Sequence, residues 1–87
     1  MKFYAYVIQS DKFQRRYKGC CKDISARLKE HKRGKTRSTR CYIPWRLVYW
    51  EEFETFEEAH KREKYFKSAA GRRFITNKIG PVVQGIE

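Results

Sequence analysis

Residues 23–31 read DISARLKEH, and their spacing predicts a helix with an unusual inner face. At about 100° per residue, one side of this helix carries two apolar and two polar side chains, Ile24, Leu28, Arg27 and His31, at the i, i+3, i+4, i+7 spacing typical of core contacts. Taking an unpaired charge out of water costs several kcal/mol. An inward arginine and histidine therefore need a partner or a use.

Strand patterns lie on both sides of this helix. Residues 3–8 are aromatic and β-branched, and a second short strand around residues 17–20 is expected to pair antiparallel with them. Residues 45–53 alternate and predict the longest strand. One of its sides is expected to carry Trp45, Leu47, Tyr49 and Phe53, and the other Arg46, Val48 and Trp50.

Capping residues mark the predicted helix ends. Asp23 suits the start of the first helix and Gly34 its C-terminal side. Thr55 and Glu58 form a T-x-x-E capping box that opens a second helix. The apolar stripe of this second helix is predicted to hold Phe56, Ala59, Phe66 and Ala70, with Glu63 in its middle.

The remaining helical run divides near its glycines. Gly71 is expected to interrupt it, residues 72–79 to form a last short helix, and Gly80 with Pro81 to stop that helix. The element order is then β-β-α-β-α-α. This order predicts a small α+β fold, with a three-stranded antiparallel sheet flanked by helices in one domain over residues 1–87.

The charge of the chain favours a polyanionic partner. Its formal net charge is +11 over 87 residues, and 16% of the residues are aromatic. A surface of this kind attracts nucleic acid first and anionic membrane second, while the plainer alternative is a basic protein kept soluble by its charge. No signal peptide, membrane span or long basic amphipathic helix is evident, so a membrane role is disfavoured.

The bases that follow the first helix are the expected contacts to a nucleic-acid backbone. The stretch KRGKTRSTR suits phosphate charge better than base sequence. Its candidate contact residues are Arg33, Lys35, Arg37 and Arg40. The three cysteines, two of them adjacent, form neither a disulfide framework nor a C-x-x-C zinc pair, which favours a reduced, cytoplasmic compartment.

The inward polar residues allow two interpretations. In the structural one, Arg27 forms a buried pair with Glu63, and His31 bonds to the backbone. In the functional one, an arginine, a carboxylate, an imidazole and nearby tyrosines such as Tyr6 and Tyr17 form a set able to cleave a phosphodiester. The arginine would hold the phosphate, and the carboxylate would bind Mg²⁺. A phenol or the imidazole would transfer a proton. We favour the functional interpretation.

Five segments together resemble a known family. They are YAYVIQS, YKG, CCKDISARLKEH, PWRLVYWEEF and EEAHKREKYFKS. Along nearly the whole chain they resemble the GIY-YIG nuclease domain. The resemblance is greatest to small stand-alone members, and more distant to the nuclease domains of bacterial excision-repair enzymes and homing endonucleases.

The resemblance implies roles for the tyrosine motifs. Tyr6 matches the tyrosine of the first motif, and Tyr17 with Gly19 matches the second. In the family the second tyrosine accepts a proton from the attacking water or positions that water. Tyr4 and Ala5 replace the glycine and isoleucine of the first motif, at positions that carry no chemistry.

The resemblance also implies roles on the helices. Arg27 matches the arginine that binds the scissile phosphate, and His31 a position held by histidine or tyrosine. Glu63 matches the ligand of a single divalent metal, Mg²⁺ or Mn²⁺. Asn77 is loosely similar to an asparagine near the end of the domain. Lys18 replaces the central residue of the second motif, either as a solvated lysine or as a phosphate contact.

These expectations define a leading function and two alternatives. The leading one is a metal-dependent endonuclease acting on DNA, in repair or recombination. The alternatives are a nucleic-acid-binding module with an idle or very slow site, and a fragment that acts inside a larger assembly. Specificity would come from a protein partner or from nucleic-acid shape. We expect Tyr6, Tyr17, Arg27, His31 and Glu63 to converge on one concave, solvent-reachable surface.

Overall fold

The computed structural model describes residues 1–80. Its elements are β1 (Phe3–Ser10), β2 (Arg16–Cys21), α1 (Ile24–Lys32), a 3₁₀ turn (Arg40–Tyr42), β3 (Trp45–Phe53), α2 (Phe56–Lys67) and α3 (Ala69–Ile79). The predicted α+β class and the order β-β-α-β-α-α are confirmed. Pro81, expected to help stop the last helix, lies outside the described residues.

The sheet has the strand order β2-β1-β3, and both pairings are antiparallel. The central strand β1 separates two apolar clusters. On one face Tyr6 and Ile8 pack with Trp45 and receive Leu28 from α1. On the other face the cluster consists of Ala5, Val7, Phe66 of α2 and Ile75 of α3. Helix α1 therefore covers one face of the sheet, and α2 with α3 the other.

A bulge in β3 changes which side chains share a face. Val7 pairs with Tyr49, but the next residue, Ile8, pairs with Leu47, so that Val48 is an extra residue. As a result Leu47 packs on the α1 side and Tyr49 on the α2 and α3 side. The prediction that Trp45, Leu47, Tyr49 and Phe53 share one side is wrong, because the bulge reverses the alternation halfway along the strand.

The break between α2 and α3 lies before Gly71. Ser68 follows the last residue of α2 and caps α3 by accepting a hydrogen bond from the Gly71 N–H at 3.0 Å. The prediction that Gly71 interrupts the helix is therefore wrong. A Cβ at Gly71 would lie 2.6 Å from Phe66 Cα, so this glycine lets the two helices approach closely.

The predicted helix starts are confirmed. The Asp23 carboxylate accepts from the Ala26 N–H at 3.1 Å, and Thr55 with Glu58 forms a reciprocal capping box. Gly34 follows α1 with a φ of +78°, a conformation that favours glycine. Within residues 1–80, no helix is long and apolar enough to cross a membrane.

Candidate active site

A chain of hydrogen bonds explains the histidine of α1. Strand β1 directs Tyr6 towards α1, where the Tyr6 hydroxyl lies 3.0 Å from His31 Nε2. The other ring nitrogen, Nδ1, lies 2.9 Å from Thr39 Oγ1, and this hydroxyl lies 3.4 Å from the Thr36 carbonyl. The His31 side chain is completely buried. Its two ring nitrogens are thus satisfied by side chains, and not by the backbone as the structural interpretation expected.

One arrangement of hydrogens gives every donor in this chain an acceptor. Thr39 donates to the Thr36 carbonyl, His31 Nδ1–H donates to Thr39, and the Tyr6 O–H donates to the unprotonated His31 Nε2. The Tyr6 oxygen then accepts from Arg27 Nε–H at 3.4 Å. The imidazole is neutral in this arrangement and holds the Tyr6 phenol in place.

Arg27 is the solvent-facing end of the chain. Its Nη1 donates to Glu30 at 2.7 Å, and its side chain is 35% exposed. Within residues 1–80 its Nη2 has no hydrogen-bond partner. The guanidinium is therefore held at two points and still presents donors to solvent, as binding of a phosphate oxygen requires.

The second motif makes room for Tyr6 and adds a second tyrosine. Gly19 pairs with Tyr6 across the strands, and a Cβ at Gly19 would lie 2.6 Å from the Tyr6 hydroxyl. Tyr17, two residues earlier on the same face of β2, packs against His31 with ring centroids 5.1 Å apart. The residue type at position 19 therefore controls where the Tyr6 phenol lies.

Burial and charge shift the pKa values of this group. Burial raises the pKa of Tyr6, although Arg27 opposes the shift. Burial also lowers the pKa of His31 to about 4, and Arg27 adds to the lowering. The hydrogen bond that Arg27 donates to Tyr6 raises the pKa of Arg27; burial opposes the rise, and the hydrogen bond to Glu30 adds to it. At neutral pH the group thus holds a neutral phenol, a neutral imidazole and a charged guanidinium.

Glu63 lies on the other side of the sheet. It is 9% exposed on α2, with Oε2 2.7 Å from Lys67 Nζ. Its Oε1 lies 3.7 Å from Cys20 Sγ and 3.8 Å from His60 Nε2. The buried Arg27–Glu63 pair of the structural interpretation is therefore wrong, because within residues 1–80 Arg27 pairs with Glu30, and Glu63 with Lys67 and His60.

The edge strand β2 connects the two halves of the candidate site. Tyr17 faces α1, while Cys20 on the opposite face of β2 contacts Glu63. Lys67 donates a hydrogen bond to Glu63, which raises the pKa of Lys67. The structure thus brings together Tyr6, Tyr17, Arg27 and His31, and places Glu63 around the edge of β2.

The expected concave, solvent-reachable surface is not found around His31. This side chain is completely buried, and the recess between α1 and the sheet beside Tyr6 and Arg27 leaves no room for a water molecule. Packing of Leu28 and Ile24 against the sheet fills this space. Solvent therefore reaches the residues around Tyr6 at Arg27 and at the edge of β2.

Glu63 is the candidate carboxylate for a divalent metal on this side of the sheet. Within residues 1–80, no cluster of three or more histidine, cysteine, aspartate or glutamate side chains is able to hold a metal ion. Mg²⁺ nevertheless binds proteins through one or two carboxylates, with waters and substrate phosphates as its other ligands. The Glu63 carboxylate meets that need once Lys67 leaves its oxygen.

The predicted phosphate contacts lie in three places. All four bases of the loop after α1 are exposed: Arg33, Lys35, Arg37 and Arg40. Lys18 is half-buried on the face of β2 opposite Tyr17. Asn77 is exposed on α3, beside Arg73.

Three further residues of the site were missed by the sequence interpretation. Thr39 orients His31 from a loop, and no periodicity predicts such a contact. Glu30 bonds Arg27 at the i, i+3 spacing, and Lys67 bonds Glu63 at i, i+4. The last two spacings are those of helical ion pairs and were visible in the sequence.

Comparison with known proteins gives the class of this domain. A family model described as the GIY-YIG catalytic domain matches residues 2–78. That match includes Tyr6 and Tyr17, helix α1 with Arg27, and helix α2 with Glu63. The match indicates a domain of the endonuclease superfamily. The chain belongs to the GIY-YIG family, and the relatives it matches are UPF0213 proteins.

Two kinds of relative carry that name. UPF0213 proteins of Staphylococcus aureus strains Mu3 and N315 are each 43% identical over 53 residues, or 60% of this chain and 65% of theirs. The matched segment thus spans less than two thirds of the curated relatives. The solution NMR structure of a UPF0213 protein from Bacillus halodurans is 33% identical, with a TM-score of 0.56 over 93% of this chain and 89% of that one.

Proposed function

We propose that the protein is a metal-dependent endonuclease that hydrolyses phosphodiester bonds in DNA. The observation that carries the proposal is the position of Arg27, which Tyr6 and Glu30 hold while part of its guanidinium faces solvent. Such a fork of donors suits a phosphate oxygen. The resemblance to excision-repair nuclease domains supports a role in repair or recombination.

Each residue of the site has a separate task in this proposal. Arg27 binds the scissile phosphate and offsets its charge. Tyr6, anchored by His31, holds the guanidinium. Tyr17 orients the attacking water at the edge of β2 by accepting a hydrogen bond from it. Glu63 would hold Mg²⁺ or Mn²⁺, which supplies Lewis acidity at the phosphate when bound.

His31 is a positioning residue in this mechanism. The Tyr6 hydroxyl and Thr39 occupy its two nitrogens, and its ring is completely buried. A water molecule therefore has no access to it. This replaces the expectation that the imidazole, with Tyr17, moves the proton.

A binding module with an idle site is the second candidate. It is supported by Lys67, whose ammonium lies 2.7 Å from the carboxylate oxygen that a metal would need. In that case the basic surface would bind nucleic acid without cutting it. A protein partner or the shape of the nucleic acid would select the substrate under either proposal, and free thiols are consistent with action in the cytoplasm.

An activity assay separates the two candidates. The purified protein is incubated with Mg²⁺ or Mn²⁺ and a panel of linear, nicked, branched and single-stranded DNA, with RNA counterparts. We expect cleavage of at least one DNA substrate, loss of cleavage in EDTA, and a loss of at least a hundredfold in Arg27→Ala. Arg46→Ala on β3, which likewise removes an arginine paired with one carboxylate, Asp11, is the matched control. Binding without cleavage on every substrate would favour the binding module.

A further inference from the structure

A groove between β2 and α3 has no role in the mechanism above. Its volume is about 300 Å³, and its lining residues are Gln14, Arg15, Arg16, Lys18, Arg72, Ile75 and Thr76. We define the β2–α3 groove by these residues. Four of the seven are basic, although the loop after α1 was the expected basic surface.

Neutral acceptors hold two of the three arginines of the β2–α3 groove. Arg16 donates to Gln9 Oε1 at 2.8 Å and to the Gly80 carbonyl at 2.6 Å, and Arg72 donates to the Lys67 carbonyl at 2.9 Å. Bonds of this kind orient a guanidinium and leave its charge in place. Within residues 1–80, neither arginine has a carboxylate partner within ion-pair distance.

Lys18 brings a third unneutralised charge into the groove. It is half-buried, and burial, followed by the charges of Arg72, Arg16 and Lys67, lowers its pKa. Like charges held together without a counter-ion repel one another, and proteins retain such arrangements mainly at functional sites. An anionic ligand would remove this repulsion.

The position of the groove indicates what kind of anion binds. Lys67 lies between the groove and the candidate site, because its ammonium contacts Glu63 and its carbonyl accepts a hydrogen bond from Arg72 of the groove. A second depression continues along α3 past Arg73 to Asn77. The two depressions share Arg72 and Thr76, so the basic surface extends along α3, and an extended basic surface fits a chain of phosphates better than a single anion.

We propose that the β2–α3 groove binds the sugar-phosphate backbone of the strand that leaves the candidate site. This assignment rests on the proposed function, because the candidate site defines the point from which the strand leaves. It assigns Arg16, Lys18 and Arg72 to successive phosphates, and it makes the loop bases Arg37 and Arg40 the lesser contacts.

Binding in EDTA tests the groove separately from cleavage. A fluorescent single-stranded DNA is titrated at several salt concentrations with wild type and Arg72→Gln, and with Lys61→Gln on the exposed face of α2 as control. Log K falls with log salt, and each lost phosphate contact reduces the magnitude of that negative slope by about 0.7 for a single strand. We expect that decrease, with binding at least threefold weaker, in Arg72→Gln, and less than a twofold change in Lys61→Gln.

Two double variants of equal charge compare the groove with the loop. Lys18→Gln/Arg72→Gln should lose at least tenfold in affinity, and more than Arg37→Gln/Arg40→Gln. In ¹⁵N NMR titrations with the same DNA, amides of residues 16–18 and 72–76 should shift. Circular dichroism checks folding, and Arg72→Gln alone keeps the test decisive if the Lys18 change unfolds the protein.

The outcomes distinguish this inference from the proposed function. Groove variants that bind like Lys61→Gln, while the wild type still cuts, would overturn the groove alone. Groove-dependent binding without cleavage on any substrate would leave the groove standing and overturn the nuclease. Stronger groove-dependent binding to phosphatidylglycerol vesicles than to DNA, or equal NMR shifts with inorganic phosphate at the same concentration, would overturn the assignment to a nucleic-acid strand.

Discussion

At the scale of single residues, the inward polar side chains of α1 are explained by their bonds to one another. Tyr6, His31 and Thr39 form a buried chain that ends at a backbone carbonyl, and Arg27 bonds its outer end. The spacing of residues 23–31 predicted that Arg27 and His31 point inward. It could not predict Thr39, because the loop returns to His31 only in the folded chain.

The space above Gly19 gives the first prediction. In Gly19→Ala the new methyl group would lie 2.6 Å from the Tyr6 hydroxyl, so Tyr6 must move and its bond to His31 must lengthen. We expect cleavage to fall at least tenfold and the free energy of unfolding to fall by about 1–3 kcal/mol. Single-turnover cleavage and urea unfolding measure the two effects. A variant as active and as stable as wild type would show that Tyr6 needs no such room.

The lowered pKa of His31 predicts how stability depends on pH. The unfolded chain takes up a proton on this histidine near pH 6.5, while in the folded protein the pKa is about 4. Between these values the unfolded state binds more protons, so stability falls as the pH falls from 6.5 to 4, by up to about 3 kcal/mol. Above pH 6.5 the contribution of His31 is constant.

Comparison with His31→Gln isolates this contribution. Urea unfolding is measured from pH 4 to 8 in both proteins. We expect the variant to be less stable at pH 7 and to have a shallower decline between pH 6.5 and 4. Parallel curves for the two proteins would mean that the histidine is protonated in the folded state. Ionisable groups that the two proteins share cancel in the difference.

At the scale of elements, local sequence patterns predicted where helices and strands begin, but not the bulge within β3 or the position of the break between α2 and α3. Asp23, Thr55 and Glu58 act as caps by bonds within a few residues, so the sequence alone indicates them. The bulge at Val48 and the break at Ser68 depend on partners elsewhere in the chain. The alternating pattern of β3 does not reveal that Val48 is an extra residue. Gly71 allows a close approach of α2 and α3 and does not mark the break between them.

That close approach predicts the effect of a substitution at Gly71. Alanine favours a helix over glycine by about 1 kcal/mol, so propensity alone would make Gly71→Ala stabilising. The Cβ would instead lie 2.6 Å from Phe66 Cα. We therefore expect a loss of about 1–3 kcal/mol in the free energy of unfolding. Ala70→Gly, at the exposed neighbouring position, should lose about 1 kcal/mol through propensity. A gain in Gly71→Ala would contradict the packing of α2 on α3.

At the scale of the whole molecule, the candidate site is divided between two faces of one sheet. Tyr6 lies between the sheet and α1, whereas Glu63 belongs to α2 on the other face, and the edge strand β2 contacts both through Tyr17 and Cys20. The sequence and the family motifs predicted Tyr6, Tyr17, Arg27, His31 and Glu63 as site residues. They could not predict the division, because it depends on which face each helix covers. A substrate that uses both halves must lie across the edge of β2.

In the proposed mechanism, Glu63 holds the metal used in cleavage. Glu63→Gln keeps the size of the side chain and removes the negative charge that Mg²⁺ requires. Lys67, the ion-pair partner of Glu63, is more than half exposed. Breaking this ion pair in Glu63→Gln should therefore change the free energy of unfolding by less than about 1 kcal/mol. Glu57→Gln, at an exposed position on the first turn of α2, is the matched control.

The decisive measurement is therefore the cleavage rate of Glu63→Gln with saturating Mg²⁺, beside its DNA affinity in EDTA and its thermal unfolding. We predict a loss of several orders of magnitude in rate, with folding retained and affinity equal to or slightly above that of the wild type, while Glu57→Gln cuts normally. A Glu63→Gln protein that is folded, binds DNA and cuts as fast as wild type would contradict the account.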